Sequence, residues 1–332
     1  MDASLTQLLK IRYPIIQAPI GSATTPELAA AVSNAGGLGT LALSWKGVSG
    51  ARSLIQQTKK LTTKPFAVNL VLKVNQVERV QGCIEEKVPV VLFSWGDCTP
   101  FIRMLKQNGI IVAQTVGSSN EALEFLQKGI DFIIAQGWEA GGHILGEVAI
   151  SVLIPAIANK VNVPVVAAGG IADGRGVLAV LSLGAAGACL GTCFLMSKEA
   201  YINPLYQKLI EKACETDTLY CKRLFNKGWD HTPHRVIKNS TTTAREKAGK
   251  PEVGSRPNEN EIIAYKQNGE PIERYRDVSP IASTTGNLEA LALYAGQSAG
   301  LISTVKTAEA IVQDLINEVK QEAKRLLAIV ES

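Results

Sequence analysis

Eight short apolar runs, recurring every 20 to 35 residues through roughly the first 200 positions, constrain this chain more than any other feature. They are Pro14–Ala18, Leu38–Leu43, Phe66–Val71, Pro89–Phe93, Ile110–Gln114, Phe132–Gln136, Val163–Ala168 and Ala186–Leu190. Most are continuous rather than alternating, the pattern of a strand buried on both faces. The intervening segments carry helix signals. Thr25 is a candidate N-cap ahead of Pro26 in the helix Pro26–Val32, and Asn120–Lys128 stops at Gly129, a C-cap signal. Strand–helix units in series make a parallel sheet, and eight is the number that closes into a barrel. The expected class is therefore α/β, a (β/α)8 TIM barrel. A doubly wound open sheet of roughly five to seven strands is the alternative.

The rhythm breaks near residue 200. Residues 215–285 are polar and rich in Thr, Asn, Lys, Arg, Glu and Pro, yet they hold Tyr220, Trp229, Tyr265 and Tyr275. Disordered segments tend to lack such aromatics. The expected organisation is a barrel over 1–214, an irregular insertion or lid across its mouth over 215–285, and C-terminal helices over 286–332. The last of these, Thr307–Val330, is long and amphipathic. With 46% apolar and 19% charged residues, the chain of 332 residues can build a sizeable core. The 34 basic and 30 acidic residues leave a formal charge of only +4, too little for a nucleic-acid surface. No run approaches ~20 uncharged apolar residues, so no membrane span is expected. The six cysteines form no C-x-x-C pair, and the start MDASLTQLLK has no signal-peptide core, so a reduced, cytoplasmic setting is expected.

In a barrel of this type chemistry collects where strands end. The seventh run ends AAGGIADGRG, where Gly169 and Gly170 allow main-chain N–H groups to approach an anion and a helix starting near Gly174 adds its dipole. The eighth ends CLGTCF, where Gly191 offers another N–H and Thr192 a hydroxyl. Two tight turns would use the same glycines, but loops after strands seven and eight are the recurrent phosphate site of the fold. The first run ends in the small apolar surface Ala18-Pro19-Ile20, and Asn69 and Gln114 offer amides that both donate and accept, as the edge of a flavin ring requires. No lysine stands at a strand end for Schiff-base chemistry. The sixth run ends AQGWEAGGH: Gly141 and Gly142 let the backbone approach a planar ligand, and His143, facing the mouth, can exchange a proton at neutral pH. Glu139 either orients that imidazole or caps a turn. His231 and His234 are expected at the surface, no metal site is expected, and Cys193 reads as buried rather than nucleophilic.

The segments YPIIQAPIG, AVSNAGGLGTL, PFAVNL, QGWEAGGH, VVAAGGIADGRG, CLGTCFL and YAGQSAGLI, in order from about residue 13 to 302, together resemble the nitronate monooxygenase (2-nitropropane dioxygenase-like) family of FMN-dependent barrels. The resemblance implies FMN as cofactor, with its ring against Ala18-Pro19-Ile20, Asn69, Gln136 and Gly141. It places the phosphate at Gly169, Gly170 and Cys189–Thr192, makes His143 the catalytic residue, and brings Gln297 back to the mouth. Where one class of members has a histidine after the fourth strand, this chain has Trp95, with Asp97 nearby. The implied activity is oxidation of alkyl nitronates or nitroalkanes by O2 to a carbonyl compound and nitrite. His143 would hydrogen-bond the nitro group or remove the α-proton, while Trp95, Trp138 and the insertion exclude water. Alternatives on the same scaffold are an NAD(P)H-dependent enoyl-thioester or quinone reductase, and a vestigial flavin-binding barrel without activity. A homodimer is among the expectations.

Overall fold

A computed structural model describes residues 4–230 and 232–331. Its centre is a parallel eight-stranded barrel. The strands are β1 (Ile15–Gln17), β2 (Gly39–Ala42), β3 (Phe66–Val71), β4 (Val90–Ser94), β5 (Ile111–Val116), β6 (Phe132–Gln136), β7 (Val165–Ala168) and β8 (Gly187–Leu190). They follow one another around the sheet in the order β1-β8-β7-β6-β5-β4-β3-β2. The ring closes where Leu38 N–H donates to Ile15 O and Gln17 N–H to Leu38 O, both at 2.9 Å. The barrel expected from eight apolar runs is thus the fold. All six residues of β3 are buried, which is why its run is continuous. Inside the barrel Ile16, Leu38, Leu92, Phe132, Ile134 and Val166 meet in one cluster. Leu5 and Leu9 of a short N-terminal helix, Leu5–Leu9, join that cluster.

Helices α1 (Pro26–Asn34), α2 (Val48–Leu61), α3 (Val77–Glu85), α4 (Thr99–Gln107), α5 (Ser119–Gln127), α6 (Ile150–Ala158) and α7 (Gly174–Ser182) follow the first seven strands. Thr25 caps α1 as its sequence suggests, its Oγ1 accepting from Leu28 N–H at 2.9 Å. After β8 come a four-residue helix α8 (Thr192–Leu195) and α9 (Pro204–Lys212). The eighth position of the outer ring is filled from the end of the chain. Helix α11 (Ala308–Glu331) packs on α7 and α1, and its Ile311, Val312, Leu315 and Ile316 join the core between sheet and helices. The chain between α8 and α11 is therefore an excursion within the last strand–helix unit.

That excursion is more ordered than its composition suggests. It holds the antiparallel pair β9 (Thr218–Cys221) and β10 (His234–Ile237), helix α10 (Ser240–Lys247), and the pair β11 (Ile262–Tyr265) and β12 (Pro271–Glu273), with Thr285–Gly286 alongside β11. Strands this short leave little periodicity to read. Part of the packing is polar: Arg256 is buried, paired with Glu259, and stacked 4.1 Å from the Tyr275 ring centroid. Among the described residues no helix is long and apolar enough to cross a membrane.

The fit of α11 makes a testable demand. A Cβ at Gly174 would lie 2.3 Å from Glu318 Cβ and 2.5 Å from Val319 N. Gly174→Ala is expected to lower the unfolding free energy by about 1–3 kcal/mol in chemical denaturation, as overpacking does. An unchanged midpoint would mean that α11 does not close the ring.

Candidate active site

Three strand ends meet on one side of the mouth. Ala168 of β7 pairs with Cys189 of β8, so Gly169-Gly170 and Gly191-Thr192 leave the sheet side by side. Gly169 and Gly170 have φ of +110° and +71°, a region other residues rarely adopt. A Cβ built on Gly191 would sit 3.6 Å from Ala18 Cβ and Ile20 Cγ2, which places the half-buried Ala18-Pro19-Ile20 turn beside it. Among the described residues, the N–H groups of Gly169, Gly170, Gly191 and Thr192 find no acceptor. Thr192 Oγ1 accepts from Gly296 N–H at 3.0 Å, which leaves its own hydrogen free to donate. One expected contributor is spent. The N-terminus of α7 is capped by Asp173 on Gly176 N–H (2.8 Å) and by Glu318 of α11 on Gly174 N–H (2.7 Å), so protein carboxylates already use its dipole.

The loop after β6 lies across those turns. A Cβ on Gly169 would come within 2.9 Å of Ala140 N, and one on Gly141 within 2.4 Å of Gly296 N. Backbone therefore packs on backbone at both places. Gln297 N–H donates to Glu139 O at 3.0 Å, fixing the YAGQSAG segment under the loop. Gln136 spends both ends of its amide on the loop: Nε2 donates to His143 O (3.0 Å) and Oε1 accepts from Leu145 N–H (2.9 Å). The open choice for Glu139 resolves as capping. Both carboxylate oxygens accept from Ile150 N–H at 3.1 Å, at the start of α6. Of the other amides, Asn69 Nδ2 donates to Leu92 O at 3.1 Å, while Gln114 Oε1 is buried with no donor.

Gly142, at φ +74°, turns the loop so that His143 pairs with His234 of β10. The imidazole of His143 lies in an aromatic cage. Ring centroids of Trp229, Tyr294, His234 and Trp95 lie 4.1, 5.2, 5.8 and 6.3 Å away. Burial pushes its pKa from 6.5 down to about 3, so it is a neutral base at physiological pH. His143 Nε2 and Trp229 Nε1 are buried without hydrogen-bond partners, and Asp277 Oδ2 is 3.7 Å from that Nε2. The Tyr294 hydroxyl donates to the other Asp277 oxygen.

Two surface expectations concern the remaining histidines. His234 is fully buried, which corrects the surface reading. Its Nε2 accepts from Phe225 N–H (3.1 Å) and its Nδ1 donates to Thr232 O (3.0 Å), so both nitrogens are spoken for. Burial, then the neighbouring His143, hold its pKa near 4. His231 lies outside the described residues. Cys193 is buried and its thiol is pushed up to about 12, so it is no nucleophile at neutral pH.

Trp95 stands at φ +59°, a conformation costing a bulky residue about 1–3 kcal/mol. In that conformation its indole meets the edge or face of Trp229, 5.3 Å away, and Trp45 also reaches Trp229 at 5.7 Å. Trp138 belongs to a separate stack with Tyr220 (4.2 Å), under the Arg235 guanidinium (5.1 Å). Sequence reasoning missed Trp229, Asp277 and Tyr294 as site residues. Trp229 was visible as an aromatic in a polar stretch and Tyr294 opens YAGQSAG, whereas nothing near Asp277 distinguishes it.

A family model described as nitronate monooxygenase matches residues 2–78 and 72–318. A probable nitronate monooxygenase of Staphylococcus aureus is 31% identical, with 96% of this chain and 97% of that protein covered. An octahydro-indene-carboxyl-CoA dehydrogenase of Rhodococcus jostii is 35% identical over 75% of this chain and 69% of its own length. Among solved structures, FabK from Thermotoga maritima superposes with a TM-score of 0.82 at 36% identity, covering 98% of each chain. A nitroalkane oxidase from Streptomyces ansochromogenes gives 0.80 at 27%, covering 97% of this chain and 99% of that one.

The two buried imidazoles predict a pH dependence. Unfolded, each titrates near 6.5; folded, each stays neutral to about 3 or 4. Below pH 6.5 the unfolded chain binds protons that the folded chain refuses, so stability falls as pH drops toward 4. Each imidazole contributes up to about 1.4 kcal/mol per pH unit. Histidine ring NMR should show neither His143 nor His234 titrating above pH 5. A midpoint near 6.5 for either would refute the burial.

Proposed function

This chain belongs to the nitronate monooxygenase family and is an oxidoreductase, and from that premise we propose that it binds FMN and oxidises small alkyl nitronates or nitroalkanes with dioxygen. The observation that carries the proposal is that the loop bearing the neutral His143 imidazole packs, through Glu139 and Ala140, on the Gly169-Gly170 turn, whose N–H groups, like those of Gly191 and Thr192 beside it, lack acceptors among the described residues. The site fits the cofactor's parts. Amides at Gly169, Gly170, Gly191 and Thr192 suit a phosphate, with the Thr192 hydroxyl as a further donor. The half-buried Ala18-Pro19-Ile20 turn is a small apolar surface that suits the face of a ring, and the orphan Gln114 Oε1 suits an N–H on its edge. Asn69, Gly141, Gly142, Gln136 and Gln297 act through the backbone they hold. Bound there, FMN would supply the redox centre that takes electrons from the substrate and passes them to dioxygen, the overall products being a carbonyl compound and nitrite.

The chain's own contribution is positional and acid–base. Neutral His143 takes the α-proton of a nitroalkane and, once protonated, holds a nitro oxygen of the nitronate so formed. The unpartnered Trp229 Nε1–H, in the ring tilted against His143, is an unspent donor for the other nitro oxygen. Trp95 and Trp229 exclude water from the proton transfer.

A second reading is NAD(P)H-dependent chemistry on a thioester or quinone. It is supported by the likeness to a dehydrogenase named for a carboxyl-CoA substrate, at 35% identity. Anaerobic spectra of the FMN-loaded protein separate the two. Rapid bleaching by NADH favours the second reading; slow bleaching by NADH with fast aerobic loss of ethylnitronate favours the first. For either, His143→Ala should reduce turnover by roughly 10²–10⁴-fold with flavin content unchanged. Full turnover in that variant would remove His143 from the chemistry.

A further inference from the structure

Among the described residues, His143 is the imidazole whose nitrogens are both uncommitted, and they face different surroundings. Nε2 is buried without a hydrogen-bond partner and looks toward Asp277 Oδ2 at 3.7 Å. Nδ1 makes no hydrogen bond either and, unlike Nε2, is not fully buried, on a side chain that is 12% exposed. Asp277 is itself held. The Tyr294 hydroxyl donates to its Oδ1, and its own N–H donates to Lys227 O at 2.9 Å. Tyr294 is anchored in turn, because Tyr206 OH donates to its carbonyl at 2.5 Å. The carboxylate reaches the site from the excursion, the phenol from the YAGQSAG segment, and the imidazole from the loop after β6.

We propose that Tyr294 and Asp277 are positioning residues that fix the His143 tautomer, holding the proton on Nε2 and presenting the Nδ1 lone pair to the substrate. The inference rests on the reading of His143 as the acid–base group and deepens it. A carboxylate can only accept, so it selects the tautomer whose N–H points at it. The arrangement follows the carboxylate–imidazole logic of hydrolytic triads, in which losing the acceptor leaves the imidazole present in the wrong tautomer. When Nδ1 takes the α-proton of a nitroalkane, the C–H electron pair stays with the nitronate and the imidazolium donates Nε2–H to Asp277. The separation of 3.7 Å must shorten by about 0.5–1 Å as that charge forms to reach the length of a charge-assisted hydrogen bond. The substrate form that uses this device is the neutral carbon acid rather than a preformed anion.

The groups facing Asp277 are few. Burial raises its pKa, while the Tyr294 hydroxyl, His234 and Arg276 lower it. His143 faces Asp277, Tyr294 and His234. Tyr294→Phe therefore raises the Asp277 pKa and moves the acid limb of the kcat–pH profile to higher pH.

The test uses full-length protein with nitrogen-15-labelled histidine, wild type beside Asp277→Asn and Tyr294→Phe. Ring nitrogen shifts are read without substrate, then FMN-loaded protein is assayed with nitroethane and with ethylnitronate. The expected wild-type proton is on Nε2. In Asp277→Asn the amide donates to Nε2, moving the proton to Nδ1. That variant should lose roughly 10²–10⁴-fold in kcat on nitroethane, with a smaller loss on ethylnitronate and KM little changed. Tyr294→Phe should keep the tautomer and shift the acid limb upward; it carries the test if Asp277→Asn folds poorly. A wild-type proton on Nδ1, an unchanged tautomer in Asp277→Asn, or an unmoved acid limb in Tyr294→Phe would overturn the proposal. A switched tautomer with unchanged turnover of both compounds would support the positioning and defeat the catalytic reading of His143.

Discussion

The site depends on backbone lying against backbone. Gly141 meets Gly296, and Gly169 meets Ala140, at separations no Cβ could enter. These contacts tie three stretches far apart in sequence: the loop after β6, the turn after β7 and the segment ahead of α11. Main-chain contact of this kind is hard to slide, because side chains that could adjust are absent. It fixes the loop that carries His143 against the glycine turn that follows β7. The Thr192 hydroxyl, accepting from Gly296 N–H, extends the same tie to β8.

Around that frame the excursion between α8 and α11 supplies what the barrel lacks. It brings Trp229, His234 and Asp277 to His143 and buries the imidazole deeply enough to keep it neutral. A buried neutral imidazole is a useful base only if its tautomer is set, and a carboxylate is the simplest means of setting it. The left-handed Trp95 fits the same picture, since strain at a strand end is retained where it aims a side chain into a site.

The barrel was legible because its strands are buried on both faces, and continuous apolar runs survive translation into sequence. The glycine turns were legible too, as was the place of His143 at the end of β6. What was not legible arises from distant pairing. Glu318 reaches the start of α7 from the last helix, so the free dipole expected there is already used. His234 looked like a surface residue because its partners, Phe225 N–H and Thr232 O, are main-chain groups that carry no sequence signal. The short strands β9 to β12 are too brief for a period to emerge, and part of their cohesion comes from Arg256–Glu259 and Arg274–Glu261 pairs that read as solvated charge.

The central claim is that main-chain amides at the ends of β7 and β8 grip a phosphate and so seat a flavin ring against His143. Comparing the affinity of cofactor-free protein for FMN and for riboflavin, which differ only in that phosphate, tests it most directly. Two or more charge-assisted hydrogen bonds at about 1.5–3 kcal/mol each predict FMN binding at least about 100-fold tighter. Equal affinities, or no binding of either, would contradict the account.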